Sequence, residues 1–212
     1  MEIVVKDLSV SGLIERYPKL EGAQPAILEA INALLFCFSN QGKLLVAGNG
    51  GSSADAEHFC GELLKGFKSK RPLSTADARM FEAIDPDLPL KLQGSLPAIS
   101  LGVGHSAISA VANDMDASLI FAQQIWGLGN KQDMFFGMST SGNSKNVVTG
   151  FKVAKAKKMK TVALTGVKES SCSQLADITI HAPESETFKI QEYHLPIYHA
   201  ICIEVENYIF GG

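Results

Sequence analysis

Residues 43–53 read Lys43-Leu44-Leu45-Val46-Ala47-Gly48-Asn49-Gly50-Gly51-Ser52-Ser53. A short apolar run breaks into a glycine-rich turn, and a helical pattern follows over about 53–66. A buried strand feeding such a turn and then a helix is the opening of an α/β unit. Upstream, residues 24–40 place Ile27, Ile31, Leu34, Leu35 and Phe38 at helical spacing, an amphipathic helix with a broad apolar stripe. Residues 1–23 form a lead-in of weak pattern.

Downstream the alternation continues. Residues 98–101, 133–138, 161–165 and 178–180 read as further strands. Helical stretches lie at about 107–112, 117–128, 144–158 and 171–176, and a last helix covers 187–209. Strands alternating with helices predict a five-stranded parallel sheet covered on both faces, a three-layer αβα sandwich. The whole chain, 1–212, reads as one domain with a helical lead-in over 1–42. Residues 69–96 break the rhythm. They carry Pro72, Pro86 and Pro89 and no convincing strand, though 76–84 suits a short helix. A connection this long is usually functional or mobile: a lid, a subunit contact or a specificity wall.

Composition narrows the function. The 212 residues hold 19 Lys+Arg against 22 Asp+Glu, a formal net charge of −3. That disfavours a non-specific nucleic-acid binder, which shows a basic face. The one basic cluster, Lys68-Ser69-Lys70-Arg71, reads as a solvated loop. Hydrophobic residues make up 46%, enough for a substantial core. Cys37, Cys60, Cys172 and Cys202 lack the spacing of a zinc knuckle or redox motif. The opening MEIVVKDLSV has no apolar targeting core. No apolar run reads as a membrane span. The expected setting is a reducing cytoplasm.

In an open parallel sheet, ligands bind beyond the carboxyl ends of the strands. Three turns fall there. Gly48–Ser53 lets backbone approach a ligand and precedes a helix N-terminus, or is an ordinary tight turn. Ser139-Thr140-Ser141-Gly142-Asn143-Ser144 carries four hydroxyls and an amide before a helix. One helix cap does not need four hydroxyls, whereas neutral donors at a helix N-terminus suit a phosphate monoester. Asn113-Asp114 is either a turn or a ligand contact. Among titratable groups, His58 and Glu62 lie one turn apart on one helix face, also the spacing of a plain surface ion pair. Gln191, His194 and His199 sit in the apolar last helix, where a satisfied core histidine is the ordinary reading. Pro196 between them removes one helical hydrogen bond.

Together the stretches AGNGGSSADAEHFCGEL, VAND, GMSTSGNSKNVV, VALTG and IQEYHLPIYH resemble the SIS (sugar isomerase) domain family, and within it the phosphoheptose isomerase branch. The resemblance implies a flavodoxin-like SIS fold and an aldose–ketose isomerase that converts sedoheptulose 7-phosphate to D-glycero-D-manno-heptose 7-phosphate through an enediolate. It implies that Asn49, Gly50, Gly51, Ser52, Asn113, Asp114 and Gln191 contact the sugar and that Ser139, Thr140, Ser141 and Ser144 hold its phosphate. Glu62 would be the base and His199 its acid/base partner. His58, Glu62, Gln191 and His199 would match the ligands of a zinc ion, and the assembly would be a homotetramer with sites between subunits. Two features depart from the branch: the length of 69–96, and the lack of an acidic residue in 187–190. They leave open another phosphosugar isomerase, or a non-catalytic relative that binds the replication initiator DnaA or senses a phosphosugar.

Overall fold

The computed structural model describes residues 8–211. Residues 1–7, most of the opening stretch read for a targeting signal, lie outside the described residues. Helix α1 (Leu8–Arg16) leads into a 3-10 turn (Pro18–Ala23) and α2 (Gln24–Ser39). Then come β1 (Leu44–Ala47), α3 (Gly51–Leu64), α4 (Thr75–Arg79), β2 (Ala98–Ser100), α5 (His105–Asp114) and α6 (Ile120–Leu128). The chain finishes with β3 (Met134–Ser139), α7 (Lys145–Ala156), β4 (Lys160–Thr165), α8 (Ser171–Leu175), β5 (Ile178–His181) and α9 (Thr187–Phe210). The lead-in read as weakly patterned therefore contains a helix; its Val10 and Leu13 are fully buried.

The five strands pair in the order β2-β1-β3-β4-β5, all parallel. This is the α/β class and strand order expected of a flavodoxin-like sheet. The order reverses direction at β1, so the crevice between the carboxyl ends of β1 and β3 is the topological switch point where such sheets bind ligands. The glycine loop leaves β1 there and the serine loop leaves β3.

Side chains alternate across the sheet as the two-residue period requires. Leu44, Val46, Met134, Phe136, Met138, Val162, Leu164, Ile178 and Ile180 face a core built with Ile27, Ile31, Phe59, Ile197, Ile201 and Val205. Leu45, Ala47, Phe135 and Ala163 face the other way, against Phe121, Ile125, Val147 and Phe151. Both faces are thus covered, α2, α3 and α9 on one and α6 and α7 on the other. Pro18–Ser39 is long and apolar enough to cross a bilayer by composition, contrary to the sequence reading. It serves the core instead: Leu20, Ala23, Ile27, Ala30, Ile31, Leu34 and Leu35 all pack there.

The 69–96 segment is mostly exposed, with α4 capped by the Ser74 hydroxyl accepting from Asp77 N at 3.1 Å. Its base is closed by Gly94 N donating to Arg71 O at 2.6 Å. Arg71 corrects the expectation of a solvated basic loop: its side chain is fully buried. All four cysteines are free and buried.

Candidate active site

The glycine loop places Gly50 as the N-cap of α3, with Gly51 and Ser52 in its first turn. Gly51 leaves room for a neighbour: a Cβ there would lie 2.6 Å from Gln191 Nε2. The Gln191 amide of α9 therefore rests against the α3 N-terminus. Ser52 is buried, and its N–H bonds Asn49 O at 3.0 Å. The Asn49 amide exchanges two hydrogen bonds with Asn146 at the start of α7, at 2.9 and 2.8 Å. That reciprocal pair stitches the glycine loop to the serine loop's helix across the switch point. Asn146 was not singled out from sequence, although it stands two residues past the serine loop.

In the serine loop, Ser139 is buried and its hydroxyl lies 3.0 Å from that of Ser144. Ser144 is the N-cap residue of α7 but makes no side-chain capping bond. Ser141 Oγ accepts from Asn143 N at 3.2 Å, within the turn that precedes the helix. Capping therefore does not account for the hydroxyls. Gly142 takes φ of +65°, and a Cβ there would meet Ser170 Oγ at 2.0 Å, so only glycine fits. The loop is pinned from the α8 side by Cys172 N to Gly142 O at 2.9 Å and Ser171 N to Asn143 Oδ1 at 3.0 Å. Thr140 O holds Gly166 N at 3.1 Å.

A second cluster forms further along α3 and α9. His58 Nε2 and Glu62 Oε1 are 3.1 Å apart, and Lys65 Nζ donates to Glu62 Oε2 at 2.7 Å. The Tyr198 hydroxyl lies 3.0 Å from His58 Nδ1 and 3.4 Å from Asp55 Oδ1. A carboxylate only accepts, so the Glu62 bond needs the proton on His58 Nε2. In the neutral ring, Nδ1 then accepts from Tyr198. The His199 ring stands edge-on to His58, centroids 5.0 Å apart, with Phe67 on another side at 5.1 Å. His199 Nε2 is buried without a hydrogen-bond partner, and the residue borders a cleft of about 260 Å³ shared with Arg16, Tyr17, Phe67 and Glu192.

The electrostatics separate the two candidates. Burial opposes ionisation of Glu62, but Lys65 and His58 together outweigh it and hold the carboxyl below its ordinary range. Burial, then neighbouring His58, pushes the His199 imidazole down, against a smaller opposing pull from Glu62. At neutral pH the cluster therefore pairs an ionised carboxylate with a neutral imidazole. His194, by contrast, is a core histidine: fully buried, with no well-formed hydrogen bond to either ring nitrogen, its pKa pushed down by desolvation to about 4 against a smaller opposing pull from the Thr165 main chain.

Not every expected residue converges. From Gly51 to Glu62 are eleven residues of α3, about 16 Å of rise, and Gln191 to His199 spans about 12 Å of α9. Gln191 thus lies at the glycine-loop end, two turns from the other expected zinc ligands. His58, Glu62 and His199 offer suitable donor types, but among the described residues no three His, Cys, Asp or Glu side chains stand in a metal-holding group. Asn113 and Asp114 are exposed and end α5 rather than following it as a turn; Asn113 Nδ2 bonds Asp114 Oδ1 at 2.7 Å. A separate cleft of about 680 Å³ is lined by Phe36, Lys131, Asp133 and Lys160 near the amino ends of β3 and β4, away from every candidate.

Comparisons with known proteins fit this geometry. Residues 106–201 match the SIS domain model. The chain is 37% identical over 189 residues to a phosphoheptose isomerase of Helicobacter pylori, covering 89% of this chain and 87% of that protein. It is 35% identical to one of Laribacter hongkongensis, covering 88% and 85%. The solved phosphoheptose isomerase of Francisella tularensis superposes with a TM-score of 0.72 at 31% identity, over 94% of this chain and 92% of that one. With the SIS-type sheet, the serine loop at its switch point and this extent of identity, the chain belongs to the phosphoheptose isomerase family.

Proposed function

We infer that this protein is an aldose–ketose isomerase that converts sedoheptulose 7-phosphate to D-glycero-D-manno-heptose 7-phosphate. The observation that carries the reading is the second cluster: an ionised Glu62 beside a neutral His199 whose ring nitrogen has no protein partner. Isomerisation requires a proton to leave C1 of the ketose and arrive at C2. The Glu62 carboxylate takes the C1 proton, electron density flows onto the C2 carbonyl oxygen, and an enediolate forms. The same carboxylate returns its proton to C2, and the C1 carbonyl of the aldose is created. A second group must shift a proton between O1 and O2, and neutral imidazole does this from an unpaired nitrogen. His58, held by Tyr198, fixes the orientation of the Glu62 carboxylate.

The phosphate end is assigned to Ser139, Thr140, Ser141 and Ser144, backed by the α7 N-terminus. Asn49, Gly50, Gly51, Ser52 and Gln191 line the adjoining wall. The placement of Gln191 against Gly51 supports a substrate contact over a metal ligand. The 16 Å along α3 between the glycine loop and Glu62 supports sites shared between subunits of a homotetramer. So does α5, which carries Ala107, Ile108, Ala110 and Val111 yet buries no residue in the protomer. Asn113 and Asp114 then reach sugar only in the assembly. Four free, buried thiols support a cytoplasmic setting. Incubation with sedoheptulose 7-phosphate, followed by NMR, tests the reading; the aldose must appear with wild-type protein and not with Glu62→Gln.

A further inference from the structure

Helix α3, which carries Glu62, ends in an unusual way. Its last carbonyls need partners, and the common solution is a left-handed glycine. Here the C-cap residue Lys65 is extended, with φ −136° and ψ 170°. The carbonyls are met from outside. Arg71 Nη2 donates to the main-chain oxygen of Glu62 itself at 3.1 Å, and Nη1 to that of Leu63 at 2.7 Å. Leu96 N adds a bond to Leu63 O at 3.1 Å.

The remaining guanidinium edge faces α9. Arg71 Nε donates to Glu206 Oε1 at 2.7 Å, with both side chains fully buried. Glu206 also accepts from the backbone N–H of Phe67, Lys68 and Ser69 at 2.8, 2.9 and 3.1 Å. The Phe210 ring lies under the guanidinium at 4.7 Å. Phe67 in turn packs on His199 at 5.1 Å. One sealed ion pair thus touches the backbone of the proposed base and holds the ring that backs its proposed partner.

Stability alone is a poor account of this pair. Buried ion pairs are commonly matched or bettered by apolar residues of similar volume. What apolar residues cannot supply is a planar fork that fixes two carbonyls and a carboxylate at once. We propose that Arg71 and Glu206 are positioning residues: they set the end of α3 against α9, and so place the Glu62 carboxylate relative to His199. The pair never meets substrate. This rests on the reading of Glu62 as the base.

The test uses two variants of the full chain with sedoheptulose 7-phosphate. Arg71→Lys keeps a cation beside Glu206 but cannot hold both carbonyls. The double variant Arg71→Met/Glu206→Leu removes both charges and fills the space. Each is expected to stay folded by circular dichroism, with kcat down about 10- to 100-fold, the scale of a small misplacement of reacting groups, and KM within about twofold. A purely structural role predicts activity that tracks folded fraction, so a folded Arg71→Lys with full kcat overturns the proposal. So does a loss confined to KM. Glu62→Gln separates the two claims. If it turns over like wild type, the base assignment fails and this proposal with it. If it is inactive while folded Arg71→Lys or the double variant is unimpaired, only the positioning role fails.

Discussion

The imidazoles of His58 and His199 meet edge to face, 5.0 Å between ring centroids, although 141 positions separate them in the chain. That contact ties α3 to α9 and brings the Glu62 hydrogen bond of His58 next to the unpartnered Nε2 of His199. Glu62 and His199, the proposed pair, stand on different helices. Their packing brings the proposed base and its proposed partner together.

Replacing His199 tests the second half of that pair. His199→Asn keeps a polar side chain but cannot relay a proton between sugar oxygens. Steady-state assays are expected to show kcat lower by about 10²- to 10⁴-fold, the usual contribution of a positioned acid/base group. Because burial and His58 hold the imidazole below its ordinary range, the acid limb of wild-type kcat/KM should fall below about pH 6.5. A limb at or above that pH would contradict the placement.

Ser144 separates phosphate binding from helix capping. A capping serine replaced by alanine costs about 0.5–2 kcal/mol. Ser144 makes no capping bond, so Ser144→Ala should lose only its bond to the buried Ser139 hydroxyl, about 0.5–1.5 kcal/mol. KM for the sugar phosphate should rise about 10- to 100-fold, the loss of one hydrogen bond to a charged group. Denaturant titration and kinetics on the same preparation check both numbers.

Gly51→Ala probes the contact with Gln191. The new methyl would meet the far end of a flexible side chain at 2.6 Å, so Gln191 swings away and the fold persists. Losing one neutral contact to the sugar raises KM roughly 2- to 10-fold with kcat nearly unchanged. A thermal melt shifted by many degrees would instead mark Gly51 as structural.

His194 makes stability depend on pH. Its folded pKa, about 4, lies below the unfolded value near 6.5, so the unfolded chain binds the extra proton. Stability is therefore full above about pH 6.5 and falls as pH drops toward 4, by about 3 kcal/mol in total. The lowered His199 imidazole adds to this in the same direction, below the ordinary histidine range, and the lowered carboxyls of Glu62, Asp177 and Glu206 do so only below the ordinary carboxyl range. Urea midpoints of His194→Leu between pH 6.5 and 4.5 should vary less steeply than those of wild type. Equal slopes would place the titrating group elsewhere.

The strands were legible because each is a buried run bounded by turn residues; 43–47, 133–138 and 161–165 match β1, β3 and β4 within a residue. The serine loop was legible because four hydroxyls exceed what a cap needs. The first helix was not, since LSVSGLIER offers only Val10, Leu13 and Ile14 as a stripe and its partner, α9, is far along the chain. Arg71 was misread for the same reason. A basic run looks solvated until Glu206, 135 residues away, supplies a buried counter-charge. Lys65 was within reach of sequence, three positions after Glu62 in the helical pattern of 53–66, although it caps α3 in extended backbone, and Tyr198 was not, because nothing local marks it as the partner of His58.

Hydrogen exchange into substrate and product tests the central assignment most directly. Sedoheptulose 7-phosphate is incubated in D₂O and followed by NMR. Wild-type protein should form the aldose and carry solvent deuterium into C2, because the abstracted proton rests on a carboxylate between steps. Glu62→Gln, folded by circular dichroism, should neither form the aldose nor exchange the C1 hydrogen at a rate within about 10²-fold of wild type. Exchange and turnover by Glu62→Gln at the wild-type rate would contradict the account.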